Sequence, residues 1–310
     1  MASDHLQKSL NYCQGVIEKR STLPILSNIL LDVSNGKLTI TATDLDLIFI
    51  YDAQNDVISN GKKPLDVPVY YSRLTKKFLT ALNAKMKHGE LYRVDMRLRP
   101  SGNKGPVATS FNSYKKYQMN DAWIWERLAF SKARVICGHQ ELQVKFESLR
   151  INILNKRLNK ENVFQEISSM RQKIESTYVE FEFPWDLRRG PGNLLEIELL
   201  GQGCAVCLGL KSRDTLEHLK FLGELGNWSR SERNKLLKLY LLMSHLRQVF
   251  ALIGSFNDLN NDKAEFVHKF VGKETGFLDM KKMKESLINL RKYSSDLISK
   301  KLEDGWMKNE

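Results

Sequence analysis

The chain has 310 residues, 42% of them hydrophobic and 27% charged, a soluble globular balance that excludes a disordered polymer. Every apolar run falls short of the roughly 20 residues that a membrane span requires, and the opening Met1-Ala2-Ser3-Asp4-His5 lacks the charged-then-apolar pattern of a secretory signal, so a cytoplasmic protein is expected, with no membrane partner. The formal net charge of +12 suits a polyanion without choosing among nucleic acid, nucleotide phosphates and an acidic protein surface.

Residues 5–19 read as a short helix. The apolar run at residues 28–33 and the alternation Leu38-Thr39-Ile40-Thr41 flank Ser34-Asn35-Gly36-Lys37, where Asn-Gly favours positive φ, and together they predict a β-hairpin. Residues 45–51 are almost continuously apolar, the pattern of a strand covered on both faces. Residues 67–86 read as helix and 91–98 as a further strand. Helical periodicity then dominates residues 110–157, 161–176 and 194 onward, with Pro184, Gly190, Pro191 and Gly192 as breakers. The expected fold class is α+β, a small α/β unit followed by an all-helical domain. The lysines are scattered, with small clusters at Lys281-Lys282 and Lys300-Lys301, and read as a solvated surface.

Cys204 and Cys207 form a lone C-x-x-C with no second ligand pair at a spacing suited to zinc. Their apolar neighbours make them a stretch of buried helix. No His spacing suits a metal, and no Ser or Cys nucleophile motif is present.

The chemistry concentrates at Asp44-Leu45-Asp46. Alternate residues of a strand share a face, so both carboxylates point the same way. Two carboxylates beside an apolar run are unfavourable unless a cation joins them, and Mg²⁺ is often held by one or two carboxylates plus phosphate oxygens. The same alternation sets Asp95, Arg97 and Arg99 on one face of a second strand. A third carboxylate on a neighbouring strand would complete a two-metal site, while Arg97 and Arg99 would steady phosphate oxygens through forked hydrogen bonds. Residues 100–106 form a loop at its edge, to which Lys104 adds charge. Trp123 and Trp125 read as core packing, and Glu126 as one half of a structural pair with Arg134.

The string Asp44-Leu45-Asp46-Leu47-Ile48-Phe49-Ile50-Tyr51-Asp52 resembles the metal-binding strand of the glutamine synthetase adenylyltransferase family. So does Leu91-Tyr92-Arg93-Val94-Asp95-Met96-Arg97-Leu98-Arg99-Pro100-Ser101-Gly102. Ala122-Trp123-Ile124-Trp125-Glu126-Arg127-Leu128-Ala129 resembles the family's tryptophan-rich helix. The likeness runs over about residues 44–310 and favours the adenylylating over the deadenylylating half. It implies a polymerase-β-like nucleotidyltransferase domain at residues 44–157 and a helical domain at 158–310. It further implies metals on Asp44, Asp46 and Asp95, with Mg²⁺ as cofactor and ATP as donor. A tyrosine of glutamine synthetase would be the acceptor, and a nitrogen-signalling regulator protein a possible second partner; nucleic acid is not expected. The helical domain would open at residues 188–199, where Asn193, Glu196 and Leu199 stand in place of the family's Gly, Asp and Phe.

Residues 5–45 resemble a different family, the start of the DNA polymerase III β sliding clamp, through the stretch from Leu6 to Glu18, then Arg20 to Leu31, then Gly36-Lys37-Leu38-Thr39-Ile40-Thr41-Ala42-Thr43-Asp44-Leu45. The join falls in a string that both families share. It removes the glycine pair that the adenylyltransferases place ahead of the first aspartate, leaving Gly36 near that spacing as the candidate triphosphate-binding backbone. Residues 1–43 are therefore set apart as a clamp-like helix and hairpin. Three readings follow: an adenylyltransferase fragment, a clamp-like DNA-binding fragment, and a folded inactive chimera.

Overall fold

A computed structural model describes residues 30–34, 37–41, 45–53, 57–58, 64–86, 89–90, 94–177, 187–226, 228–253 and 280–303. The expected helix at residues 5–19 lies outside them, as do Gly36 and Asp44. Two compact units part between Ala122 and Trp123, ahead of the boundary at 157/158 drawn from the motifs. The first takes residues 1–122 with 139–142, and the second residues 123–138 with 143–310.

In the first unit the predicted hairpin is present. Strands β1 (Leu30–Ser34) and β2 (Lys37–Thr41) are antiparallel, with Leu31 opposite Ile40 and Val33 opposite Leu38, so apolar residues pair across the ladder. The apolar run that follows is two short strands, β3 (Leu45–Asp46) and β4 (Phe49–Tyr51). Short strands β5 (Val57–Ile58) and β6 (Leu65–Asp66) pair with one another. Helix α1 (Val67–Leu82) carries Pro68 in its first turn, where the missing N–H costs nothing. It packs on β4 through aromatic rings: Tyr71 stacks on Tyr51 at 4.5 Å and Phe78 meets Phe49 edge-on at 5.6 Å. Its end comes before the predicted residue 86, because Asn83 folds its amide back to Leu79 O at 3.0 Å and β7 (Lys85–Met86) turns to pair with β8 (Gly89–Glu90). Strand β9 (Val94–Asp95) lies parallel to β3, and β10 (Ala108–Ser110) parallel to β4. Helix α2 (Phe111–Asn120) follows, capped by the Ser110 hydroxyl, which accepts from Ser113 N–H at 3.2 Å.

The second unit is helical. Its elements are α3 (Ile124–Ser131), α4 (Gln140–Asn155, in this unit from residue 143 on), α5 (Lys160–Thr177), α6 (Leu194–Leu208), α7 (Thr215–Lys220), α8 (Leu222–Leu225), α9 (Arg230–Ile253) and α10 (Met280–Glu303). Helix α6 is apolar on nearly all sides and is buried on nearly all sides, against α3, α5, α7, α8 and α9. Each of its buried leucines stabilises the unit by about 1.5–3 kcal/mol relative to exposure. Cys204 and Cys207 lie in this helix, as expected; burial pushes both thiols up, Cys207 to about 12, so neither is a thiolate at neutral pH. Gly203 lets α5 pack close, since a Cβ there would come within 2.7 Å of Ile167 Cδ1 and push that side chain aside.

Two charge clusters, each centred on a buried arginine, hold the helical unit together. Glu196, at the start of α6, accepts from Arg171 Nε of α5 at 2.8 Å and from Gly192 N–H at 2.9 Å. Arg171 also reaches α10, donating to Ser295 Oγ at 2.8 Å and Ser299 Oγ at 2.5 Å. Gly192 is fixed by its φ of +74° and by the Arg291 carbonyl, which a Cβ would approach to 2.0 Å. In the second cluster the fully buried Arg150 donates to Ser131 O at 3.0 Å, Lys211 O at 2.6 Å and Glu147 Oε1 at 2.8 Å. Among the described residues no helix is long and apolar enough to cross a membrane.

Candidate active site

β3 and β9 pair with Leu45 opposite Val94 and Asp46 opposite Asp95, and the ladder continues as Leu47 N–H donates to Asp95 O at 2.9 Å. Residues opposite one another on parallel strands, about 4.8 Å apart, present side chains to the same face. Two carboxylates so placed repel unless positive charge is shared between them. The start of β9 is fixed by Asn83, which follows α1: its Oδ1 accepts from Val94 N–H at 3.2 Å while its amide holds Leu79 O. The sequence gives no sign of this link, because it depends on where the helix stops.

Positive charge is supplied by Arg97. Its backbone N–H donates to Asp95 Oδ1 at 2.8 Å, and its Nε contacts Oδ1 at 3.0 Å and Oδ2 at 2.7 Å. Its Nη2 also pairs with Oδ2. The Asp95 side chain is 11% exposed and that of Arg97 34%, so the guanidinium covers the carboxylate from the solvent side. Asp46 is half-buried, with its Oδ1 buried.

Arg99 has a different task. β9 ends at Asp95, so the alternation that would have put Arg97 and Arg99 on a strand face is lost at Met96. The buried Arg99 guanidinium turns into the following loop and donates to the carbonyls of Met96 at 2.7 Å, Gly105 at 3.2 Å and Asn103 at 3.3 Å. The loop tightens around it: Ser101 takes a φ of 61° and opens a 3₁₀ turn at Gly102–Lys104. Gly105 is obligatory there, since a Cβ would lie 1.9 Å from Pro100 O. Lys104 is exposed at the end of this turn.

The structure thus brings Asp46, Asp95 and Arg97 together and sets Arg99 beneath the adjoining loop. Asp44 and Gly36, the remaining candidates, lie outside the described residues. Among the described residues no three His, Cys, Asp or Glu side chains gather as metal ligands. The donors that do meet are carboxylate oxygens, a set that fits a hard cation such as Mg²⁺.

In the helical unit Trp123 is 67% exposed and Trp125 half-buried, so the first of these rings is not core. Trp123 immediately precedes α3, and its N–H is capped by Glu126 Oε2 at 2.8 Å. Glu126 thus serves as a helix cap, while Arg134, its expected partner, is exposed.

Comparison with known proteins places these residues in a family context. Residues 37–149, the stretch that holds β3, β9 and the Arg99 loop, match the model of a family described as glutamate-ammonia ligase adenylyltransferase. Three relatives carry the name bifunctional glutamine synthetase adenylyltransferase/adenylyl-removing enzyme. The one from Rhizobium meliloti is 38% identical over 71% of this chain and 23% of its own length. That from Agrobacterium fabrum is 40% identical over 60% of this chain and 20% of its own. That from Bartonella henselae is 37% identical over 73% of this chain and 24% of its own. The chain therefore spans under a quarter of the length of the curated relatives it matches.

Proposed function

We propose that the chain is a nucleotidyltransferase that moves AMP from ATP to a tyrosine of glutamine synthetase, on a polymerase-β-like strand pair. The observation that carries this reading is the register of β3 and β9, which sets Asp46 opposite Asp95 inside the segment that matches the family model. The relatives' printed names supply the acceptor protein. Asp46 and Asp95, with Asp44, would hold Mg²⁺, which when bound neutralises phosphate charge and favours the departure of pyrophosphate.

The chain's own residues supply positioning. Arg97, a third exposed at the rim of the carboxylate face, would grip phosphate oxygens with its fork. Arg99 would keep the 96–105 loop in shape, so that Lys104 presents its charge at the site's edge. Gly36 would offer backbone N–H to the triphosphate, with β1 standing for the strand that the clamp-like N-terminus replaced. The tyrosine oxygen then forms a bond to the α-phosphorus as the bond to the pyrophosphate oxygen breaks. The hydroxyl proton passes to a nearby carboxylate or to water. The protein acts in the cytoplasm, where ATP and glutamine synthetase are both available.

The test is transfer of label from α-labelled ATP to purified glutamine synthetase with Mg²⁺, comparing the chain with Asp46→Asn. The reading expects label on glutamine synthetase, reduced by at least about 100-fold in the variant. No label from a folded chain would reject it, and leave the family's fold without its reaction.

A further inference from the structure

We infer that Arg97 is an internal stand-in for the metal at Asp95: a divalent cation and the Arg97 side chain compete for the same carboxylate, and the cation displaces the guanidinium toward the nucleotide. The inference rests on the nucleotidyltransferase reading and adds to it a role for Arg97 before any nucleotide is bound.

The geometry is specific to this arginine. A carboxylate has about four lone-pair positions. Arg97 spans both oxygens of Asp95, with its backbone N–H and Nε on Oδ1 and with Nε and Nη2 on Oδ2. Because Arg97 bonds both Asp95 oxygens, a cation that ligates Asp95 competes with this fork for their lone pairs and displaces part of it. Arg97 can yield, because its side chain is 34% exposed and lies in a turn just beyond β9. Arg99 cannot, because three backbone carbonyls already hold its guanidinium in a buried loop. One arginine is therefore built to move and its neighbour to stay.

The arrangement also answers a folding problem. Asp46 and Asp95 are paired by strand register, so their mutual repulsion is fixed by the backbone. A positive group attached to the chain itself relieves that repulsion, and its own backbone N–H stays on Oδ1 when the side chain leaves. The predicted consequence has opposite signs for two ligands. Removing the guanidinium frees Asp95 for the cation, yet takes a phosphate grip away from the nucleotide.

The experiment is titration with Mn²⁺ alone, read by electron paramagnetic resonance, on the native chain, Arg97→Gln, Arg97→Lys, Lys77→Gln, Asp95→Asn and the double variant Arg97→Gln/Asp95→Asn. The expected result is Mn²⁺ affinity raised about three- to fivefold in Arg97→Gln, the size of a partly exposed ion pair. Arg97→Lys is expected to fall between, having charge without a fork. Lys77→Gln, which removes an exposed charge on α1, controls for net charge and should change affinity by less than about 1.5-fold. In the Asp95→Asn background the gain should vanish. A non-hydrolysable ATP analogue with Mn²⁺ should bind more weakly to Arg97→Gln than to the native chain. Unchanged or weakened Mn²⁺ affinity in Arg97→Gln, while Asp95→Asn still impairs binding, overturns the competition but leaves the metal site. If Asp95→Asn does not affect Mn²⁺ at all, the nucleotidyltransferase site fails and the competition with it.

Discussion

The two units each contain an acid–arginine pair built from the same groups, and the pairs differ in what surrounds them. Glu196 and Arg171 are enclosed: the carboxylate side chain is 2% exposed, and the guanidinium ties α5, α6 and α10 through Ser295 and Ser299. Asp95 and Arg97 are two residues apart, at a strand end, with the arginine a third exposed. An enclosed pair is shut off from outside ligands and held by neighbours within the fold, so it acts as structure. An open pair exchanges partners at low cost, which is the property a ligand site needs. Burial and sequence separation, rather than residue type, distinguish the two.

The contrast can be broken most strongly from the enclosed side. Arg171→Ala leaves Glu196 buried without its guanidinium and should lower stability by about 3–5 kcal/mol, measured by urea denaturation. Arg97→Gln, assayed the same way, should cost less than about 1 kcal/mol. Equal losses would erase the distinction. The double variant Arg171→Met/Glu196→Leu should recover much of the loss, because the penalty lies in the stranded charge.

A smaller effect sharpens the account of the helical unit. His218 is fully buried, with Nε2 2.7 Å from Ser212 O, and burial holds its pKa below the ordinary histidine value. A depressed folded pKa means that the neutral ring is favoured on folding. The contribution is therefore fully present above the unfolded value of about 6.5 and is lost as pH falls from there through the folded value. Denaturation midpoints between pH 7 and 5 should show a fall that is shallower in His218→Gln. An identical slope in both proteins would remove His218 as its source.

Local chemistry was legible in the sequence and long-range closure was not. Apolar alternation and Asn-Gly marked the hairpin, and the all-round apolar character of residues 194–208 marked a buried helix containing Cys204 and Cys207. The run at 45–51 misled because both halves are apolar for the same reason, yet β3 pairs with β9 and β4 with β10, which splits the strand. Trp123 misled because size suggests core, whereas its place just ahead of α3 leaves the ring exposed. Arg97 was visible by its spacing from Asp95 but was assigned to phosphate alone. Its place on the carboxylate, the turn of Arg99 into the loop and the role of Asn83 all depend on where β9 and α1 end. The Glu196 cluster joins residues up to 128 positions apart, from Arg171 to Ser299, beyond the reach of any local pattern.

The central claim is that Asp46 and Asp95 form one cation-and-nucleotide site. Calorimetric titration of the whole chain with a non-hydrolysable ATP analogue and Mg²⁺, alongside Asp46→Asn and Asp95→Asn, tests it without depending on turnover. The account predicts Mg²⁺-dependent binding that weakens at least about tenfold in each variant, with circular dichroism unchanged. Binding of equal strength in all three proteins, or binding indifferent to Mg²⁺, would contradict it.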